Sequence, residues 1–259
     1  MLSDVEREYS PSSVLTSLNT TIETEIGRYV SMSDEAYETY RFVELPYGPN
    51  PRNHLLVLAQ DQPPKRALLY VHGGYWQELS ARQSLFSAND AVKHGLGFAS
   101  IGYTLAPDIS LRAICDEVVA ACKAFRQTFP ATEIILAGSS AGAHLCAWVL
   151  HHEPQCIDQV ILLSGIYDLR PLVDTYINEK VGLSRNEAAL LSPVLLPRPL
   201  FDHSKLVVAV AEHDTLTFRD QADRYAAHVN VTCTHISNRN HFDLPFELGR
   251  WLDEERISL

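Results

Sequence analysis

The chain lacks any apolar run approaching about 18 residues, the length a membrane span requires, so no such span is expected. Positive charge is scarce: 21 Lys and Arg stand against 32 Asp and Glu, and the formal net charge of −11 would repel nucleic acid and anionic membrane surfaces. The opening residues Met1 to Glu8 carry no basic segment followed by an apolar one, which points to the cytoplasm. Cysteine is sparse as well. Cys115, Cys122, Cys146, Cys156 and Cys233 show no CxxC spacing and mostly fall in apolar patterns, so buried free thiols are expected. There is no H-E-x-x-H and no Cys/His cluster. His151 and His152 are adjacent and would diverge by about 100° on a helix. No G-x-G-x-x-G turn occurs either, so neither a metal nor a cofactor is expected.

What is present is a chain of 259 residues, 46% hydrophobic, long enough for one domain with a sizeable core. Apolar runs alternate with amphipathic segments, the pattern of an α/β domain with a mostly parallel sheet and helices on both faces. Strands are expected near 67–71, 98–103, 133–137, 160–164, 205–211 and 231–236. An antiparallel edge pair is expected earlier, Tyr40 to Leu45 with His54 to Leu58. Residues 165–204 interrupt the rhythm with Pro171, Pro193, Pro197 and Pro199 and are longer than an ordinary crossover, which suggests a small cap or lid insertion. Residues 1–35 are expected to wrap the domain or its entrance. The whole of 1–259 is expected to form a single domain.

Two glycine segments follow apolar runs. Gly138-Ser139-Ser140-Ala141-Gly142 lies between Glu133 to Ala137 and the helix-like stretch Ala143 to Leu150. A G-x-S-x-G segment in that context forms a nucleophile elbow, in which glycine permits a tight turn that lifts a serine hydroxyl above the sheet. Ser140 is the candidate nucleophile, and Ser139, one residue early, is expected to point away from the apex. Upstream, His72-Gly73-Gly74-Tyr75-Trp76 follows Ala67 to Val71. This is an oxyanion-type loop, in which each backbone N–H aimed at a developing oxyanion contributes roughly 2.7–4 kcal/mol. Gly73 or Gly74, with Ala141, are the candidate donors.

An acid and then a histidine should follow the serine in chain order. Lys205 to Ala211 reads as a buried strand, and Glu212-His213-Asp214 lies just past its end, where parallel sheets present functional loops. Asp214 is the first candidate, Glu212 its rival and Asp168 a weaker third. Three of the 11 histidines follow Asp214. His228 falls in a helical stretch and His235 inside a strand, whereas His241 follows the polar turn Ser237 to Asn240. A loop histidine there can serve as general base and then general acid.

The chain thereby resembles the kynurenine formamidases (arylformamidases) of the serine-dependent α/β-hydrolase type. The resemblance is carried by His72 to Glu78, Ser140 to Leu145, Gly165 to Arg170, Ala211 to Asp214, His241 to Asp243 and the opening Tyr9-Ser10-Pro11-Ser12. The extension Tyr75-Trp76-Gln77-Glu78 is the most specific part. Tyr75 stands where hormone-sensitive-lipase-type esterases carry another glycine, and Ser139 where they carry an acid.

The resemblance implies an α/β-hydrolase fold, a triad of Ser140, Asp214 and His241, and hydrolysis of N-formylkynurenine to kynurenine and formate without a cofactor. It further implies a small aromatic formamide as the partner molecule, with Tyr75 and Trp76 at the substrate; a homodimer is left open. The indole of Trp76 could stack on the substrate ring at the pocket rim, or instead pack the loop onto the sheet. A promiscuous short-chain carboxylesterase is the close alternative, since it would use the same triad. A non-catalytic binding protein on a hydrolase fold is the distant one, disfavoured by an intact serine, acid and histidine.

Overall fold

Eight strands form one sheet: β1 (Phe42–Pro46), β2 (His54–Leu58), β3 (Arg66–Val71), β4 (Gly97–Ile101), β5 (Glu133–Ser139), β6 (Gln159–Leu163), β7 (Leu206–Ala211) and β8 (Cys233–Ile236). The structure, a computed structural model, describes residues 2–253. The spatial order is β1-β2-β4-β3-β5-β6-β7-β8. β2 pairs antiparallel with both β1 and β4, and every pairing from β4 to β8 is parallel.

The central strands are continuous apolar runs because both of their faces are covered. Leu69, Val71 and Leu136 enter one core, together with helices α4 (Leu111–Thr128), α5 (Ala141–His152) and α8 (Leu216–Val229). Leu68, Tyr70 and Ile135 enter the other, against α2 (Ile22–Thr39) and α3 (Ser87–Lys93). α4 shows how such a helix is specified. Leu111, Ile114, Cys115, Val118, Cys122 and Phe125 recur at the spacing of one helical face, and the Ser110 side chain caps the first turn by accepting from Ala113 N.

The parallel strands all end at one edge of the sheet, and four of the segments that leave it there, those after Val71, Ser139, Ala211 and Ile236, carry the candidate site residues. Two further segments lie over that end. The first is N-terminal: α1 (Asp4–Glu8), a 3₁₀ run over Pro11–Leu18, and α2. It is tied to the start of α8 where Thr215 Oγ1 donates to Glu8 O and Gln221 Nε2 to the Tyr9 hydroxyl. The second connects β6 to β7 through 3₁₀ turns, α6 (Asn178–Val181) and α7 (Arg185–Leu190). All five cysteines are free; four are buried and Cys233 is half-buried. Among the described residues no helix is long and apolar enough to cross a membrane.

Candidate active site

Ser140 sits between β5 and α5 with φ 55° and ψ −123°, a strained backbone for a residue with a side chain. The flanking glycines allow it. A Cβ on Gly142 would lie 2.1 Å from Val71 O, and one on Gly138 would lie 2.6 Å from the Gly142 backbone. The turn is held by Ser140 N donating to Leu163 O at 2.9 Å and His144 N to Ser140 O at 3.2 Å. Ala141 opens α5, so its N–H is among the free donors of the helix N-terminus. Ser139 departs from expectation: it lines the same cavity as Ser140, its Oγ accepting a hydrogen bond from the Tyr70 hydroxyl at 3.0 Å.

The glycine loop after β3 lies against this turn. A Cβ on Gly73 would come within 3.1 Å of Ser139 O and 3.2 Å of Ser140 Cβ, so only glycine lets the two segments approach so closely. Gly74 has φ +88° and accepts from Gln77 N and Glu78 N, closing a tight loop. Tyr103 fixes its base by donating to His72 O at 2.9 Å and stacking on the His72 ring at 4.1 Å. Burial pulls the His72 imidazole down to about 4, so the ring is neutral, and its Nδ1 donates to Gly73 O.

Tyr75 lines the cavity and its hydroxyl donates to Tyr9 O. The structure corrects the expectation for Trp76. Its indole is 0% exposed, packs edge-on against His144 at 5.1 Å and forms no part of the cavity wall. The cause is the backbone. Gly74, Tyr75 and Trp76 all take positive φ (88°, 49° and 61°), and along this run the indole packs inward against α5 while Tyr75 lines the cavity.

His241 Nδ1 donates to both carboxylate oxygens of Asp214, at 3.0 and 3.1 Å, and the two side chains are 5% and 0% exposed. Such an acceptor holds the proton on Nδ1 and leaves Nε2 as the lone-pair nitrogen. Phe218 and Phe242 pack edge-on against the ring at 4.6 and 5.2 Å. Glu212 N donates to Ile236 O and His213 N to Arg239 O, tying the loop that carries Asp214 to the one that carries His241.

The rival acids lie elsewhere. The Glu212 carboxylate is exposed and accepts from Asn238 N at 2.7 Å, bracing the turn that leads to His241. Asp168 is gripped by the Arg170 guanidinium at 2.9 and 2.7 Å, with Arg224 close by. Burial works to raise its carboxyl, but the Arg170 hydrogen bonds hold it below the usual range. His228 lies beside His151, and His235 donates to Asp223 at 2.8 Å.

Ser140 and His241 open into one cavity of about 210 Å³, walled also by Gly73, Gly74, Tyr29, Phe86, Tyr176 and Ile177. The sequence patterns missed Tyr29, Phe86, Tyr176 and Ile177, which come from the two segments over the sheet and from the stretch before α3. One sequence signal pointed toward them: the opening Tyr9-Ser10-Pro11-Ser12. Ser10 and Tyr176 share a hydrogen bond at 2.8 Å, which joins the two segments above the cavity, and Gln77 Nε2 donates to Ile177 O at 2.9 Å.

A doubly wound sheet with an elbow serine, an oxyanion-type loop and a buried Asp–His pair at its C-terminal edge defines a class, and residues 68–241 match the family described as the alpha/beta hydrolase fold. The chain belongs to that family. Within it, the chain is 31% identical to the kynurenine formamidase of Salmo salar and 30% identical to that of Danio rerio, alignments that each cover 93% of this chain and 89% of the relative. It is therefore a member of the kynurenine formamidase family. Solved structures share the fold: a proposed thioesterase from a Silicibacter species has a TM-score of 0.85 at 23% identity, covering 98% of both chains. A thermophilic carboxylesterase from a metagenomic library has a TM-score of 0.70 at 17% identity, covering 93% of this chain and 95% of its own.

Proposed function

We propose that this protein is a serine hydrolase that cleaves the formamide of N-formyl-L-kynurenine to L-kynurenine and formate, acting in the cytoplasm on a small free substrate. The observation that carries the reading is the convergence of the Asp214–His241 pair with Ser140 on one cavity, in a chain whose relatives are kynurenine formamidases.

The geometry suits a two-step acyl transfer. Ser140 Oγ attacks the formyl carbon while His241 Nε2 takes the hydroxyl proton, and Asp214 stabilises the imidazolium that results. The carbonyl oxygen becomes an oxyanion, received by backbone N–H groups of Gly73 or Gly74 and of Ala141. Collapse breaks the C–N bond, His241 returns its proton to the aniline nitrogen, and kynurenine leaves a formyl ester on Ser140. Water, deprotonated by His241, then attacks the ester; the bond from the formyl carbon to Ser140 Oγ breaks, His241 returns its proton to Oγ, and formate leaves. No metal or organic cofactor is needed for any of these transfers.

The substrate ring would lie among Tyr29, Phe86 and Tyr176 rather than on Trp76. The contact of Gly73 with Ser140 keeps the acyl side confined, in keeping with an acyl group whose carbon bears only hydrogen. Discrimination by one methylene is worth about 1–3 kcal/mol, so some short-chain ester cleavage accompanies deformylation. The carboxylesterase reading draws on the shared fold with esterases, but those likenesses extend to architecture alone. The test is a stoichiometric assay of both products. Equal release of formate and kynurenine by the wild type, lost in Ser140→Ala, supports the proposal; kynurenine production that survives Ser140→Ala removes the serine from it.

A further inference from the structure

A second group of reactive side chains lies on the far edge of the sheet. β8 is the terminal strand, and because strand side chains alternate, Cys233 and His235 share one face of it. α8 supplies Asp223. His235 Nε2 donates to Asp223 Oδ1 at 2.8 Å, and the Cys233 sulfur lies close to the same carboxylate. The three potential ligand atoms lie within 4.8 Å of one another. Asp223 and His235 are 51% and 44% exposed in their side chains, and Cys233 is half-buried, so the group is open to solvent.

An exposed His–Asp pair alone contributes little to stability and is common on surfaces. The thiol makes this group different. Sulfur, imidazole nitrogen and carboxylate oxygen converging on one point form the donor set of zinc-class cations, whereas calcium and magnesium take oxygen ligands throughout. Tetrahedral ligation with a Zn–S bond of about 2.3 Å and Zn–N and Zn–O bonds of about 2.0–2.2 Å places ligand atoms on the order of 3.3–3.7 Å apart. His235 and Asp223 would have to separate by roughly half an ångström, which two exposed side chains can do by small rotations.

The geometry points to a three-ligand surface site for a zinc-class divalent cation at Asp223, Cys233 and His235, with the fourth position left to water. Binding converts the thiol to a thiolate and releases its proton to solvent, the imidazole proton shifts from Nε2 to Nδ1 so that Nε2 can ligate, and the His–Asp hydrogen bond gives way to two metal bonds. The ion would fasten α8 to β8. α8 begins at Leu216, two residues after Asp214, and β8 ends at Ile236, five residues before His241. The site therefore clamps the two elements whose ends present the candidate acid and base, without touching the cavity. The inference is independent of the substrate assignment.

The sequence pattern gave no warning, because Asp223 stands ten positions before Cys233 and the cluster exists only once α8 packs on β8. Cobalt(II) is the probe for the test, added to the full chain as the chloride. The expected result is a thiolate-to-cobalt charge-transfer band in the near ultraviolet that saturates at one ion per chain and is displaced by Zn²⁺. Cys233→Ser should abolish the band. His235→Ala and Asp223→Asn should each weaken cobalt binding by at least about tenfold while the far-ultraviolet circular dichroism stays that of the wild type. Zn²⁺ should also raise the Tm of the wild type and leave that of Cys233→Ser unmoved. The other four thiols are buried, so a band assigns itself to Cys233. Absence of a thiolate band in the wild type at millimolar cobalt, a band that persists in Cys233→Ser, or an equal Tm rise in both proteins would overturn the site.

Discussion

Replacing Asp214 by asparagine isolates the charge behind the imidazole. Both Asp214 oxygens sit at hydrogen-bond distance from His241 Nδ1, at 3.0 and 3.1 Å. The replacing amide can still offer one oxygen, or can turn its NH₂ to Nδ1 and force the wrong tautomer. In either case the imidazolium formed during acyl transfer loses its anionic partner. An ion pair at about 4 Å with an effective dielectric of about 20 is worth about 4 kcal/mol, and the pair here is buried enough for that figure to apply. At 1.36 kcal/mol per tenfold, kcat should fall about 10³-fold, and further if the wrong tautomer dominates. KM should change little, because Asp214 does not line the cavity. The assay is steady-state deformylation of N-formyl-L-kynurenine by the purified variant, with Glu212→Gln measured in parallel. Glu212 braces Asn238 from an exposed position, so its variant should keep kcat within about tenfold of the wild type. A folded Asp214→Asn variant with kcat within tenfold of the wild type, or a Glu212→Gln variant that is the more damaged of the two, would refute the reasoning.

Ser140→Ala and His241→Ala should each remove several orders of magnitude from kcat, and the double variant should be scarcely worse than either, since the two act as one unit; additive losses would contradict this. Trp76→Leu should lower stability by about 2–4 kcal/mol, read as a fall in the urea midpoint, and depress formylkynurenine and ester hydrolysis alike, because the indole is core and its loss shifts the glycine loop. A selective rise in KM for formylkynurenine at unchanged stability would restore it to the substrate site. Burial pulls His72, His144 and His151 from 6.5 down to about 4. Lowered folded-state values mean that their contribution is fully present above about pH 6.5 and is lost as pH falls toward 4, by up to about 4 kcal/mol per pH unit when all three titrate together. Urea unfolding at pH 7 and pH 5 should show this loss; equal stability at the two values would contradict it.

Much of the scaffold was legible because its causes are local. The central strands announced themselves as unbroken apolar runs, and the elbow as glycines whose absent Cβ atoms make room for Val71 O and for the Gly142 backbone. The expected strand 231–236 begins instead at Cys233. Asn230, the C-cap of α8, takes the left-handed conformation and Val231 N donates to Ala226 O, so Val231 closes the helix cap rather than opening the strand.

The misses share a cause too. Trp76 sits where three successive positive φ values aim it, and no residue-type pattern specifies that run. Ser139 faces the cavity because Tyr70, from the neighbouring strand, holds it there. Tyr29 and Tyr176 reach the cavity from segments distant in sequence, and the Asp223, Cys233 and His235 group spans a helix and a strand.

The most direct measurement of the central claim is a side-by-side determination of kcat/KM for N-formyl-L-kynurenine and p-nitrophenyl acetate on one preparation. The account predicts that the formamide is preferred at least about tenfold, a difference of roughly 1.4 kcal/mol in transition-state binding, with formate and kynurenine released together. A strong preference for the acetyl ester with no detectable deformylation would contradict it and leave a short-chain carboxylesterase.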